Sequence, residues 1–551
     1  MRLVCSSWEQ WLDARWKPFL WIGILVNATG LFFTIIEPDG AVYATIAKQM
    51  VLTRDYANLI LQGNDWLDKP HFPFWVMALS YHLFGITTFA YKLPALLFWA
   101  LGGWYTYRFA NLFYTKTVAQ VSVLIYLTAM HAVLSNNDVR AEPYLMGLII
   151  GSVFHFYKAS QQRFGLDLIL GALLAACAIM TKGIFVVATI GFGLFFHWVW
   201  KKEWLQMLHW RWLLAIVFML LFITPELYSL YQQFDLHPEK IVFGTTGVSG
   251  IRFFFWDSQF GRFFNTGPIK GDGDKFFFLH TTLWAFFPSS ILFFAAIFAA
   301  AKTKLKQLPE LITIGTTAFT FLLFSLSGFQ LPHYMNIIFP FMSIISAFYL
   351  CEIVTYSKNR FWQVLFYFQV ALAFVAAIGL TIWFQPQLLL IAIIWIVASL
   401  LIIFKLPEKG PPLQLAFSRN VAASYMLYVY LAFFFTRDLV HYQSGSEAAF
   451  YLNQQYPLQK VAMLKGDNSY SFDFYSQDIV PYYSAEQLMN LNNKPLLFCS
   501  EGLLAELSKT GIRYQVIKSF ANYHITQPQG DFMNAATRNS TLSKSYILKL
   551  N

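Results

Sequence analysis

Phe72-Pro73-Phe74-Trp75-Val76-Met77-Ala78-Leu79-Ser80-Tyr81-His82-Leu83-Phe84 is an apolar run whose reading decides how the whole chain is threaded. Counted as a membrane span, it would invert every segment after it. A hydrocarbon core about 30 Å thick needs about 20 mostly apolar helical residues, and runs of about 10–14 are more often interfacial or re-entrant. The run is therefore excluded as a span. Around it, longer apolar stretches are expected as about thirteen transmembrane helices. They cover 18–36, 93–112, 117–134, 143–157, 166–180, 184–200, 211–228, 279–300, 311–327, 334–351, 361–383, 387–404 and 421–438.

Composition agrees with a membrane protein. Hydrophobic residues make up 57% of the chain and charged residues 12%, whereas soluble domains have about 45–50% and about 25%. Aromatic residues reach 19%, which suits a bilayer protein whose Trp and Tyr gather at headgroup level. The net charge of +10 comes from short basic clusters between apolar runs, so it reports topology and implies no nucleic-acid partner. Cys5, Cys177, Cys351 and Cys499 share no motif spacing, so neither a disulfide framework nor a zinc site follows. No short apolar region with a small-residue cleavage site opens the chain, and its first apolar run is expected as a retained helix.

The basic residues set the orientation. With Arg2, Arg15 and Lys17 in the cytoplasm, every second loop should be basic. Those loops carry Arg108 and Lys116; Lys158 and Arg163; Lys201, Lys202 and Arg211; Lys302, Lys304 and Lys306; Lys358 and Arg360; and Lys405, Lys409 and Arg419. The opposite side receives loops 37–92 and 229–278 and everything after residue 438. The expected division is a transmembrane domain over 1–438 and an outer domain over 439–551. In the outer domain, apolar stretches Lys460–Leu464, Pro495–Cys499 and Tyr514–Ile517 alternate with helical stretches Ala485–Leu491 and Glu501–Lys509. That alternation predicts a small α/β fold. The location expected is a bacterial inner membrane, multi-pass, with this domain in the periplasm.

Polar residues then collect on the outer side. Glu37-Pro38-Asp39-Gly40 ends the first span, where a carboxylate is costly unless paired or facing a water-filled cavity, although Pro-Asp-Gly is also a turn signal. Asp68-Lys69-Pro70-His71 precedes the short apolar run, and Asn136-Asn137-Asp138-Val139-Arg140-Ala141-Glu142 follows the third span. Lys182 lies in a tight hairpin, where snorkelling is the plain alternative. Asp257 and Arg262 lie in the large loop, and His333-Tyr334 in a later turn.

Lys69, Arg262 and Lys182 can neutralise a phosphate, Arg with two parallel hydrogen bonds and Lys as a compact charge. Asp39 and Asp138 can accept a proton from an acceptor group or orient it. A phosphate clamp beside a carboxylate base suggests group transfer from a lipid phosphate. Neither a Walker A loop nor a strand–helix G-x-G-x-x-G accompanies it.

These residues carry a resemblance. The acidic turn followed by Tyr43-Ala44-x-Ile46-Ala47-x-Gln49-Met50 resembles the first-loop motif of membrane glycosyltransferases with the C-type fold. Lys69-Pro70 before an aromatic helix, Phe84-Gly85 and Lys92-Leu93-Pro94 match the same block. Asp138, Thr181-Lys182-Gly183, Arg262-Phe263 and His333-Tyr334 continue it in order. The family is that of protein O-mannosyltransferases and bacterial aminoarabinose transferases acting on lipid A. The resemblance implies catalytic acids at Asp39 and Asp138, with Lys69, Arg262 and Tyr334 holding the carrier phosphate. Lys182, Asp68, Tyr43, Asp257 and His333 are further site candidates. The usual Asp-Glu pair reads Asp39-Gly40 here, so Glu37 is the nearby acid that could substitute. Lys-Pro-Pro reads Lys69-Pro70-His71, and a histidine sometimes found before the arginine is Asp257.

The sequence thus points to a polyprenyl-phosphate-dependent glycosyltransferase, acting as a monomer on a lipid or surface-glycolipid acceptor, or else on a protein hydroxyl. No metal cofactor is required, since the cations can hold the phosphate, and a divalent ion is not indicated. A transporter or flippase would place charges at the bilayer midplane in repeated broken helices; here they cluster at one interface. An inactive binding scaffold is the other alternative.

Overall fold

Each expected span falls on a helix or on a run of consecutive helical segments in the computed structural model, which describes residues 2–161, 165–302, 308–356, 360–405 and 410–550. Trp204–Phe222, Pro332–Cys351 and Arg360–Phe384 are each long and apolar enough to cross a bilayer alone. Lys116–Thr128 and Met130–Asn137 do so as a pair bent by 55°. Ala129, in extended conformation, makes that break. The break is tolerable because its backbone groups find other partners: Met130 N–H donates to Phe287 O (3.0 Å), and Tyr428 Oη donates to Thr128 O (2.6 Å). The last span begins earlier than expected, at Pro412. Of the loop charges that set the orientation, Arg163, Lys304, Lys306, Lys358 and Lys409 lie outside the described residues.

The short run Phe72–Phe84 is a separate 13-residue helix, ended by Gly85 at φ 77°. Phe74, Met77, Ala78 and Tyr81 are buried along one face, while Leu79 and Leu83 on the other are exposed. The buried face meets the helix Asp39–Thr53, with the Phe74 ring 5.2 Å from that of Tyr43 and 5.5 Å from that of Trp66.

The helical path of the last span continues through Arg437–Leu439 and Val440–Tyr442, so the expected border at 438 falls inside a helical exit, and extended Gln443 opens the outer domain. Its five-stranded sheet runs in the order Tyr482–Tyr483, Val461–Leu464, Leu496–Ser500, Ser543–Leu550, Tyr514–Asn522. The first three strands are parallel, and Ser543–Leu550 pairs antiparallel with both its neighbours. One face packs Met463, Phe498 and Ile547 against Ala448, Leu452 and Phe472; the other packs Leu464, Leu497 and Leu548 against Leu507. The three expected strands and both expected helices are present. Tyr482–Tyr483 and Ser543–Leu550 were not expected; the first is only two residues long, and the second opens on the polar Ser543-Lys544-Ser545.

Candidate active site

Asp39 is the first residue of its helix, and Asp138 closes the helix Met130–Asn137, its N–H donating to Leu134 O at 2.9 Å. Two residues on, Arg140 joins them. Its Nη1 lies 2.7 Å from Asp39 Oδ2, and Nη2 lies 2.9 Å from Asp138 Oδ2. The Asp39 side chain is 47% exposed against 22% for Asp138, so Asp39 is the acid an incoming group can reach. Asp138 Oδ1 has no hydrogen-bond partner among the described residues, and burial pushes this carboxyl up against the pull of Arg140. A Cβ on Gly40 would sit 3.1 Å from that oxygen and 3.2 Å from Ile35 Cγ2. A second acid at position 40 would therefore crowd Asp138.

Glu37 does not substitute for it. Its carboxylate accepts hydrogen bonds from Ser469 Oγ (2.9 Å) and Ser471 N–H, and burial pushes its carboxyl up. This corrects the expectation of a reserve acid: Glu37 is engaged by the outer domain.

The cations form a second cluster. Lys69 Nζ is 2.7 Å from Asp68, and Arg262 makes a close ion pair with the other Asp68 oxygen. Burial alone would raise the Asp68 carboxyl, but Lys69 and Arg262 outweigh it and hold the group at about 2. Burial in turn pushes Lys69 down, against the pull of Asp68. Lys182 pairs closely with buried Glu142 and lies 3.8 Å from the centroid of the Tyr334 ring. His333 stands between the two clusters, Nε2 at 3.8 Å from Glu142 and Nδ1 at 3.4 Å from Arg140.

Asp68, Lys69, Lys182, Arg262 and Tyr334 line a cavity of about 330 Å³. Phe185, Phe253, Phe254, Phe263, Phe324 and Phe329 supply much of the remaining wall. Tyr43 is buried against Trp66 and Phe74 and packs the first loop from below. Asp257 is not a lining residue; its carboxylate lies 3.6 Å from exposed Arg252. His71, standing where a second proline is usual, is fully buried and ties the Lys69 loop to Glu226 by both its N–H and Nδ1. Among the described residues no three His, Cys, Asp or Glu side chains converge to hold a metal ion.

Arg140 and Glu142 carry roles that the sequence reading left unassigned. Their signal was the alternation of charge in Asp138-x-Arg140-x-Glu142, beside a membrane span where unpaired charge is costly. Lys92 is likewise buried, donating to Gly30 O (2.9 Å) and Phe33 O (2.8 Å) at the end of the first span.

Residues 68–228 match the family described as dolichyl-phosphate-mannose-protein mannosyltransferase. An uncharacterized protein of Aquifex aeolicus is 24% identical over 318 residues, 57% of this chain and 59% of that one. An undecaprenyl phosphate-alpha-4-amino-4-deoxy-L-arabinose arabinosyl transferase of Yersinia enterocolitica is 27% identical over 158 residues, 28% of each chain. The chain thus spans between 28% and 59% of the length of these two relatives. The crystal structure of ArnT from Cupriavidus metallidurans bound to undecaprenyl phosphate superposes with a TM-score of 0.72 at 18% identity, covering 97% of both chains. Residues 68–228 are thus similar to the dolichyl-phosphate-mannose-protein mannosyltransferase family, and over nearly its whole length the chain has the membrane fold of ArnT, with a C-terminal mixed-sheet domain.

Proposed function

We propose that this protein is a membrane glycosyltransferase that moves a sugar from a polyprenyl-phosphate carrier to an acceptor at the outer face of a bacterial inner membrane. The observation that carries this reading is the pairing of three cations, Lys69, Lys182 and Arg262, with a phenylalanine wall in one cavity. An anionic headgroup on a long apolar chain is the ligand class that such a cavity suits.

In the proposed reaction an acceptor oxygen attacks the anomeric carbon with inversion. The new carbon–oxygen bond forms as the bond to the carrier phosphate breaks, and the electron pair leaves on the phosphate. Lys69 and Arg262 stabilise that departing charge, and charges preorganised in a water-poor site are usually the largest catalytic term. Asp39 takes the acceptor proton or orients the acceptor, with Arg140 and Asp138 fixing its direction. An acceptor that is a lipid or surface glycolipid is the first reading, following the resemblance to the aminoarabinose transferases that act on lipid A. The family description supports a second reading, transfer to a protein hydroxyl.

Purified protein given a synthetic polyprenyl-phosphate sugar and candidate acceptors tests the proposal, alongside mass spectrometry of surface lipids and glycoproteins with and without the gene. Release of polyprenyl phosphate with sugar gained by a lipid is the expected result. Unchanged surface lipids and glycoproteins, with no donor turnover, would overturn it.

A further inference from the structure

The fourteen residues from Ile35 to Lys48, with Asp39 near their start, are tied to the outer domain at four places. Ile35 N–H donates to Tyr475 Oη (2.9 Å), and Gln443 accepts from Glu37 N–H (2.9 Å) while donating to Ile35 O (2.9 Å). Thr45 Oγ1 donates to Tyr470 O at 3.0 Å. The Glu37 carboxylate and the Lys48 ammonium then take the two ends of one outer-domain helix, Tyr470–Tyr475. Glu37 accepts from Ser471 N–H and Ser469 Oγ at its start. Lys48 reaches the carbonyls of Asp473 (2.7 Å), Phe474 (3.2 Å), Ser476 (2.5 Å) and Asp478 (3.1 Å) at its end.

Lys48 is 2% exposed. An ammonium so buried is costly unless its donors are satisfied, and the last carbonyls of a helix are acceptors left over by the helix itself. The two needs answer each other. Burial pushes the Lys48 amine down to about 8, against the pull of Asp473 and Asp478, which leaves it mainly charged at neutral pH. Asp39 lies between Glu37 and Lys48 in the chain, and its own ion pair runs the other way, to Arg140 of the membrane part.

We infer that the outer domain acts as the positioning element for Asp39, with Lys48 as the residue that locks the Asp39–Thr53 helix onto it. This rests on the proposed role of Asp39 in transfer. An acid whose aim depends on such a lock loses rate when the lock is removed, because a displacement of about 1 Å can cost about 100-fold in rate.

The test uses the full-length protein with Lys48→Met, which keeps an unbranched side chain only one atom shorter and removes the charge. Transfer kcat is expected to fall by about 10–100-fold, while the Kd for undecaprenyl phosphate, whose proposed ligands are Lys69 and Arg262, stays at the wild-type value. Amide exchange over 39–48 should quicken. The double variant Asp39→Asn/Lys48→Met should be no slower than Asp39→Asn, since a residue acting through Asp39 adds nothing once Asp39 is gone. Wild-type kcat, unchanged exchange over 39–48, or a further loss in the double variant would each overturn the inference. If Lys48→Met does not fold, Thr45→Val with Gln443→Ala is used, and the same loss confined to kcat is required. A wild-type protein that transfers no lipid-linked sugar would instead remove the proposed function, and the exchange measurement would still decide whether the lock exists.

Discussion

Arg140 Nη1 stands 2.7 Å from Asp39 Oδ2, and through this one contact the acid that begins the first-loop helix is fixed against the membrane part. The same guanidinium also holds Asp138. A lysine carries the charge but not the planar fork. Arg140→Lys is therefore expected to keep the fold and lose transfer by about 10²-fold, the scale of a mispositioned catalytic group. Turnover of the purified variant checks this, with donor binding as the control that should not change.

Asp39→Asn separates turn from chemistry. Asn is as good a turn residue as Asp, so a purely structural Asp39 would leave activity near wild type. As the acid that assists the acceptor, its loss should cost about 10²–10⁴-fold. Glu37→Gln is the matching control: its carboxylate faces Ser469 and Ser471, so it should loosen the outer domain more than it slows the Asp39→Asn protein further. A stable Asp39→Asn that transfers well would return the role to Asp138.

Lys69→Ala and Arg262→Ala should each weaken binding of polyprenyl phosphate by about 2–5 kcal/mol, the range for one partner of a buried charge-assisted contact. Asp68, held at about 2, stays ionised at any working pH. A carboxyl with a lowered folded value contributes stability above its ordinary value near 4, lost only as pH falls through about 2. Asp68 should therefore cause no pH dependence of binding between about pH 5 and 8, as calorimetric titration at several pH values would show.

Asp473 behaves oppositely. Its carboxylate accepts from Tyr482 Oη (2.7 and 2.9 Å) and Gln62 Nε2 (3.0 Å), yet burial pushes the group up to about 7. A raised folded value means that the folded state binds the proton more tightly than the unfolded state, so its stabilising effect is full below the ordinary value near 4 and is lost as pH rises through about 7. Thermal unfolding of the outer domain should shift down between about pH 5 and 8, and Asp473→Asn should flatten that slope. A wild-type profile with no slope would remove Asp473 as the source.

A cysteine placed at Leu458, 97% exposed on the outer domain, should react with a membrane-impermeant maleimide without rupture of the inner membrane. Labelling only after rupture would invert the orientation read from the loop charges.

The spans were legible because apolar runs of bilayer length have few other uses, and the short helix Phe72–Phe84 because its length alone excluded it. The cavity cations were legible by type and by motif order. What sequence could not show was which carboxylate each would meet. Glu37 and Asp39 are two residues apart, yet one turns to the outer domain and the other to Arg140. Lys48 sits in an ordinary helical stretch, and its partners lie more than 400 positions away. Asp257 was drawn in by its nearness to Arg262 in sequence, and the turn Phe253–Asp257 carries it to Arg252 instead.

Because Asp68 already answers both Lys69 and Arg262, the headgroup end of the cavity is never a bare positive patch. A small free anion would have to displace a half-buried counter-ion that two cations already hold, at the cost of both ion pairs. A ligand that also lays an apolar chain along the phenylalanines can offset that cost at about 25 cal/mol per Å² of surface removed from water. On the proposed function, selectivity among anions would then rest on what is attached to the phosphate.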